Sequence, residues 1–184
     1  VFDDKKVMLV CAETFSWPMH YVAERIRPYC RDLSAIFIQP AESYFEAPEY
    51  QTFKSLNSDI NIYEMSSVVE QYLDGHKNSQ VNIDRKYIDK IERLYSSYSS
   101  LNEQLLSEMT LSPYYHDRSY YEYIDYNKIL LYVQLYYQYV EKLFEDNAFD
   151  VILDCDIDFF GRAVLHEVAS FNDVPYISVD FTRI

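Results

Sequence analysis

The chain has little glycine and few basic residues. Only 2 of its 184 residues are glycine, so a phosphate-binding loop built from several glycines is excluded. Lysine and arginine number 16 against 30 acidic residues, which gives a formal net charge of -14. That charge repels polyanions, so we expect no nucleic-acid partner unless the few basic groups cluster. An ordinary acidic, soluble domain is the simpler interpretation.

Cysteine and long apolar runs are also scarce. Cys11, Cys30 and Cys155 form no CxxC pair and are odd in number, which favours a reducing compartment over a disulfide framework. No apolar run is long enough to predict a transmembrane segment, and no signal segment is evident. The sequence therefore predicts a cytoplasmic protein. Because the chain does not begin with Met, we expect it to be a domain of a longer protein.

What the sequence does contain is an alternation of short apolar runs and helical patterns. This alternation predicts an α/β fold, a doubly wound, Rossmann-like parallel sheet of about five strands in a single domain over residues 1–184. A long helical hairpin over residues 84–147 is predicted between strands three and four. The predicted strands are residues 6–12, 35–38, 60–63, 151–153 and 174–179.

The predicted insertion is rich in tyrosine, of which the chain has 20. Its aromatic and aliphatic residues recur at helical spacing, as at Tyr95 in the first helix and at Tyr136 and Tyr137 in the second. Such stripes are more typical of a core or a partner interface than of a carbohydrate-stacking surface. One functional alternative is therefore a non-catalytic module that docks a partner, or another copy of itself as a homo-oligomer, through the hairpin.

In open parallel sheets, ligands bind beyond the carboxyl ends of the strands. Candidate residues follow three of the predicted strands: Glu13, Ser16, Trp17 and His20; Asp154, Asp156, Asp158 and Arg162; and Asp180, Thr182 and Arg183.

Several of these residues have simpler interpretations. The three aspartates resemble the Asp-x-Asp motif of haloacid dehalogenase phosphatases, but too little chain follows them to supply the further strands that such an enzyme needs. Acids at this position more often keep a strand end soluble and cap the next helix. A receiver phosphorylated at Asp154 or Asp156 lacks paired acids after the first strand. We expect Arg162 to form an ion pair with these acids, and His20 to lie on a helix surface.

One resemblance goes further. Arg162, Ala169, Val174-Pro175 and Thr182-Arg183-Ile184, with a compatible Phe15-Ser16-Trp17-Pro18 loop, resemble the N-terminal domain of GT-B glycosyltransferases of bacterial capsule and surface polysaccharide synthesis. The resemblance implies an acceptor-binding domain with a carbohydrate acceptor as partner. It also implies that the nucleotide-sugar donor binds a C-terminal domain absent from this chain, so the isolated domain would be inactive and would hold neither cofactor nor metal.

The resemblance and the strand-end positions together imply a set of roles. The catalytic base for the acceptor hydroxyl would be Glu13 or Asp156. The substrate-binding residues would be Trp17 as a sugar platform, His20 as an acceptor contact, Arg183 across the cleft, and Ser16 and Asp158 beside them.

Overall fold

A computed structural model of the chain describes residues 2–11, 16–38, 48–64, 82–95, 100, 101, 103, 126–155 and 160–178, without the side chains at 128 and 129. The elements in chain order are β1 (Lys5–Cys11), α1 (Ser16–Ile26), β2 (Cys30–Phe37), α2 (Pro48–Leu56), β3 (Asn61–Glu64), α3 (Arg85–Leu94), α4 (Tyr126–Asp146), β4 (Val151–Asp154), α5 (Phe160–Phe171) and β5 (Tyr176–Ser178). The sequence also predicts a helix over residues 66–73 and, at residues 112–117, the break between the two helices of the hairpin. Both segments lie outside the described residues.

The five strands form one parallel sheet in the order β3-β2-β1-β4-β5. From β1 the chain winds outwards to β2 and β3, then returns to the other side of β1 for β4 and β5. This confirms the predicted doubly wound α/β fold, and it makes β1 the central strand.

Alternate side chains of β1 supply two separate cores, which explains its uninterrupted apolar run. Val7, Leu9 and Cys11 pack with the buried faces of α1 and α2 on one side of the sheet. Met8 and Val10 pack with α3, α4 and α5 on the other side. The result is a sheet between two helical layers.

The second strand is longer than its sequence pattern predicts. It begins at Cys30, five residues before the predicted start at Ala35, and pairs with β1 from Cys30 to Phe37 with one irregularity at Arg31. Arg31 and Asp32 are exposed, so the first part of the strand carries no apolar signal. Strand pairing, rather than local hydrophobicity, sets this boundary.

Helices α3 and α4 lie between β3 and β4 in the sequence, as predicted for the insertion. Helix α3 begins after Asp84, whose carboxylate accepts hydrogen bonds from the amides of Lys86 and Tyr87 at 3.0 and 3.1 Å, an N-cap arrangement. Tyr136 and Tyr137 on α4 are buried. The prediction that these tyrosines form a core is confirmed.

A carboxylate joins the two helices of the insertion. Glu141 of α4 accepts hydrogen bonds from Tyr87 (2.8 Å), Lys90 (2.9 Å) and Tyr95 (2.7 Å), all from α3 and its end. Burial acts to raise the pKa of Glu141, but these donors outweigh it, and the pKa lies below its usual value. In the described part of the chain, no helix combines the length and hydrophobicity needed to cross a membrane.

Candidate functional site

The winding of the chain reverses between β1 and β4, which are neighbours in the sheet. The connection from β1 leads to α1 on one face, and the connection from β4 leads to α5 on the opposite face. Connections that diverge in this way leave a crevice at the carboxyl ends of the two strands, the usual place of the ligand site in open α/β sheets. The carboxyl ends of β1 and β4, named here the switch-point crevice, are therefore the candidate site.

A buried ion pair lies at the end of β4. The Arg162 Nε atom, on the first turn of α5, is 3.1 Å from Asp154 Oδ2, and both side chains are 0% exposed. Asp154 Oδ1 also accepts a hydrogen bond of 2.7 Å from the Cys155 amide. Removal of two charges from water is compensated only where geometry and additional hydrogen bonds are good. The pair confirms the ion pair predicted for Arg162, whereas Asp154 does not keep the strand end soluble.

Tyr176, the first residue of β5, completes this group. Its hydroxyl donates a hydrogen bond to Asp154 Oδ2, and its ring packs edge-on against His166 of α5. Burial, followed by the charge of Asp154, raises the pKa of Tyr176 well above its usual value. The hydroxyl therefore stays protonated and holds the carboxylate in place at neutral pH.

Two cysteines lie beside the ion pair. Cys11 ends β1 and Cys155 follows β4, and both belong to the buried cluster on the α1 side of the sheet. The Arg162 Nη2 atom is 3.5 Å from Cys155 Sγ. The sequence shows no basic residue next to either cysteine, but the fold brings one to Cys155. Among the described residues, no group of three or more His, Cys, Asp or Glu side chains is placed to bind a metal ion.

Close packing holds α5 at the crevice. A Cβ atom on Gly161 would lie 2.9 Å from Tyr136 Cε1 and 3.5 Å from Ile38 Cβ. The Tyr136 hydroxyl donates a 3.2 Å hydrogen bond to the Ile38 carbonyl, just past the end of β2. Glycine is needed here because α4 approaches α5 too closely for a side chain.

Six of the candidate residues lie outside the described residues: Glu13, Asp156, Asp158, Asp180, Thr182 and Arg183. Their predicted roles stay predictions.

Ser16, Trp17 and His20 are described, and all three lie on α1. Ser16 is the first residue of the helix and is buried. Trp17 is 43% exposed, with its ring 5.6 Å from that of Tyr21 in an edge-on arrangement. An exposed aromatic pair at the start of α1 is available to contact a ligand.

His20 is 6% exposed rather than on the helix surface. Its Nδ1 atom is 3.1 Å from the side-chain nitrogen of Asn57. That amide also donates to the Phe53 carbonyl at 2.7 Å, and Asn57 Oδ1 accepts a 2.7 Å hydrogen bond from Arg27. His20 thus joins α1 to the end of α2.

Sequence reasoning missed the combination of Asp154, Arg162 and Tyr176. Asp154 and Arg162 were visible as a strand-end acid followed by a base on the next helix. Tyr176 carried no signal, because its partner lies on a neighbouring strand. Only the pairing of β4 with β5, in which Ile152 lies opposite Tyr176 and Asp154 opposite Ser178, brings the two side chains together.

The likeness of this chain to known proteins is one of structure. No model of a known protein family matches the chain, and no curated protein matches it. The fold is similar to the solved structure of a cyclodipeptide synthase (CDPS) from Fluoribacter dumoffii, with a TM-score of 0.53 and 9% sequence identity over 95% of this chain and 88% of that chain. At this identity the likeness shows a common fold.

This finding contradicts the glycosyltransferase assignment. The solved structure described above is a CDPS, not a GT-B enzyme of capsule or surface polysaccharide synthesis. The alternative of a non-catalytic docking module gains no support. The error has a physical origin: a helix followed by a strand that opens with Val-Pro satisfies packing needs common to many α/β folds. Arg162, part of the supposed motif, is instead a partner of Asp154.

Proposed function

We propose that the chain is an enzyme of the cyclodipeptide synthase kind, which joins two aminoacyl units, delivered on tRNA, at the switch-point crevice. The observation that carries this proposal is the likeness to a CDPS over nearly the whole of both chains. A likeness of that extent includes the strands and helices on both sides of the crevice.

The chemistry of the crevice is compatible with this proposal. The ion pair of Asp154 and Arg162, with the Tyr176 hydroxyl, forms a rigid polar floor between two apolar cores. Because both charged side chains are 0% exposed, they would act by holding the groups around them in place rather than by touching the substrate. Trp17 and Tyr21, exposed on α1, would bind an apolar or aromatic aminoacyl side chain.

Delivery on tRNA requires a local basic surface, because the whole chain carries a net charge of -14. Helix α3 provides one. Lys86, Lys90 and Arg93 recur at helical spacing and line an open groove of about 300 Å³ together with Asp89 and Leu94. Lys90 is already paired with Glu141 at 2.9 Å, so Lys86 and Arg93 would be the main phosphate contacts. This basic groove supplies the clustering of positive charge that RNA binding needs.

The test is the reaction itself. The purified protein is incubated with tRNA charged with a mixture of isotopically labelled amino acids, and cyclic dipeptides are measured by mass spectrometry. We expect labelled cyclic dipeptides that depend on the aminoacyl-tRNA and are not formed from free amino acids. If no product forms while a known CDPS is active in the same mixture, the proposal is wrong.

Charge reversal tests the basic groove. We expect the double variant Lys86→Glu with Arg93→Glu to raise the KM for charged tRNA roughly tenfold or more, with a smaller effect on kcat, because phosphate contacts bind without taking part in the chemistry. The double variant Arg25→Glu with Lys142→Glu is the matched control, because it changes the net charge equally at two exposed positions away from the groove, Arg25 on α1 and Lys142 on α4. An equal effect of the groove variant and of the control would exclude the groove as the tRNA site.

A further inference from the structure

Cys11 and Cys155 are placed opposite each other at the switch-point crevice. The register of β1 with β4 pairs Val7 with Val151 and Leu9 with Leu153. Continued by two residues, it brings Cys11 opposite Cys155, and both side chains join the same buried cluster. Paired strands lie about 4.8 Å apart, within the range of roughly 4.4–6.8 Å between Cα atoms that a disulfide requires.

The two thiols differ in their surroundings. The Arg162 Nη2 atom is 3.5 Å from Cys155 Sγ, and the Nε atom of the same guanidinium pairs with the Asp154 carboxylate. Burial, with a contribution from the neighbouring Cys155, raises the pKa of Cys11 well above its usual value. Cys155 is 9% exposed and Cys11 is fully buried. Cys155 is therefore the thiol that a small oxidant reaches first, and Cys11 is placed to react second.

We propose that Cys11 and Cys155 form a disulfide when the protein meets a peroxide. In the first step, the Cys155 thiolate attacks one oxygen of hydrogen peroxide; the O–O bond breaks, Cys155 becomes a sulfenic acid, and the second oxygen leaves as water after taking up a proton. In the second step, Cys11 sulfur attacks Cys155 sulfur, and the S–OH bond breaks. The thiol proton leaves with the hydroxide as a second water, so two thiols are oxidised by two electrons and one peroxide is reduced.

The location of this disulfide gives it a consequence. It would link the end of the central strand to the end of β4 across the candidate site. It would also replace the Cys155 thiol that now contacts Arg162 with a disulfide sulfur. Cys30 cannot compete for either partner, because it lies at the amino end of β2, whereas Cys11 and Cys155 lie at the carboxyl ends of their strands. The Cys30 thiol contacts the Ile26 carbonyl at 3.2 Å. The inference stands independently of the reaction proposed above.

The experiment uses the whole chain, with Cys30→Ser as background so that two cysteines remain. The protein is treated with hydrogen peroxide, unfolded, alkylated with iodoacetamide and measured by mass spectrometry. We expect most molecules to lose two hydrogens and to resist alkylation, and digestion to give a peptide pair joined through Cys11 and Cys155. Reduction with dithiothreitol should restore two alkylation sites.

Single variants separate the roles of the two cysteines. With Cys11→Ser, we expect Cys155 to stop at the sulfenic acid and to be labelled by dimedone. With Cys155→Ser, we expect Cys11 to be oxidised at least tenfold more slowly. The proposal is overturned if both cysteines of the Cys30→Ser protein remain alkylatable after treatment, or if Cys155 is overoxidised while Cys11 remains a thiol.

Discussion

Replacement of Arg162 by methionine tests whether the buried ion pair stabilises the fold. Methionine retains much of the side-chain volume but removes the guanidinium, so Asp154 would be left as a buried charge without its cationic partner, in a site that is 0% exposed. Breaking a buried pair on one side costs about 3–5 kcal/mol in free energy of unfolding. We therefore expect Arg162→Met to be among the most destabilising single changes in this chain.

A carboxyl group can escape this penalty by binding a proton, and that escape limits the cost. An ordinary aspartate has a pKa of about 3.9, so its protonation costs about 4 kcal/mol at pH 7 but only about 1.5 kcal/mol at pH 5. The free energy of unfolding that is lost because Asp154 is unpaired therefore cannot exceed about 4 kcal/mol at pH 7 or about 1.5 kcal/mol at pH 5. We expect a loss of about 3–4 kcal/mol at pH 7, a fall in Tm of roughly 10 °C, and a loss about half as large or less at pH 5.

The assay is urea unfolding of the wild type and the variant at the two pH values, followed by circular dichroism. Arg25→Met is the matched control, because Arg25 is exposed on α1 and its loss should change the free energy of unfolding by less than about 0.5 kcal/mol. The double variant Asp154→Asn with Arg162→Met should recover much of the loss, since no unpaired charge remains. A loss for Arg162→Met that is equal at pH 7 and pH 5 would refute the electrostatic explanation, and no loss at all would refute the ion pair's structural role.

Three further predictions concern the packing and the hydrogen bonds of α4 and α5. Gly161→Ala should cost about 1–3 kcal/mol in urea unfolding, because its methyl group would overlap Tyr136; an unchanged midpoint would show that the two helices can separate. Glu141→Gln should lower the free energy of unfolding by about 1–2 kcal/mol at pH 7, since three donors lose a carboxylate. Because the pKa of Glu141 is lowered in the fold, the difference in free energy of unfolding between wild type and variant is fully present above about pH 4.5. It disappears as the pH falls through the folded pKa of Glu141, and a difference that persists at low pH would contradict the role of the carboxylate. Burial raises the pKa of Tyr139 to about 12, so spectrophotometric titration should lose one late tyrosinate signal in Tyr139→Phe, and an unchanged late phase would assign that signal to other residues.

The fold class followed from the sequence because it depends on local patterns. An uninterrupted apolar run at β1, followed by a helical pattern with Pro18 in its first turn, specifies a buried strand and a helix without knowledge of the rest of the chain. The stripes of tyrosine in α4 predicted its buried face for the same reason. The early start of β2 was missed because Arg31 and Asp32 are exposed and carry no apolar signal, and it is the pairing of Cys30 with Lys5 and of Asp32 with Lys6 that holds this part of the chain in the strand.

The functional assignment did not follow from the sequence. Short motifs such as Val174-Pro175 reflect the packing requirements of a strand that follows a helix, and many α/β folds have the same requirements. The role of Asp154 could not be predicted either, because an acidic residue after a strand can be exposed to solvent, cap the next helix or form a buried ion pair.

The sequence alone thus determined the location of most strands and helices and which of their faces are apolar, because the periods of 2 and 3.6 residues depend only on the order of the residues. Only the tertiary structure decided which strands are neighbours. By placing β4 and β5 beside β1, it brought Asp154 together with Tyr176, and Cys11 with Cys155, across long stretches of chain. Contacts between distant residues depend on sheet order and register, and no local pattern encodes either.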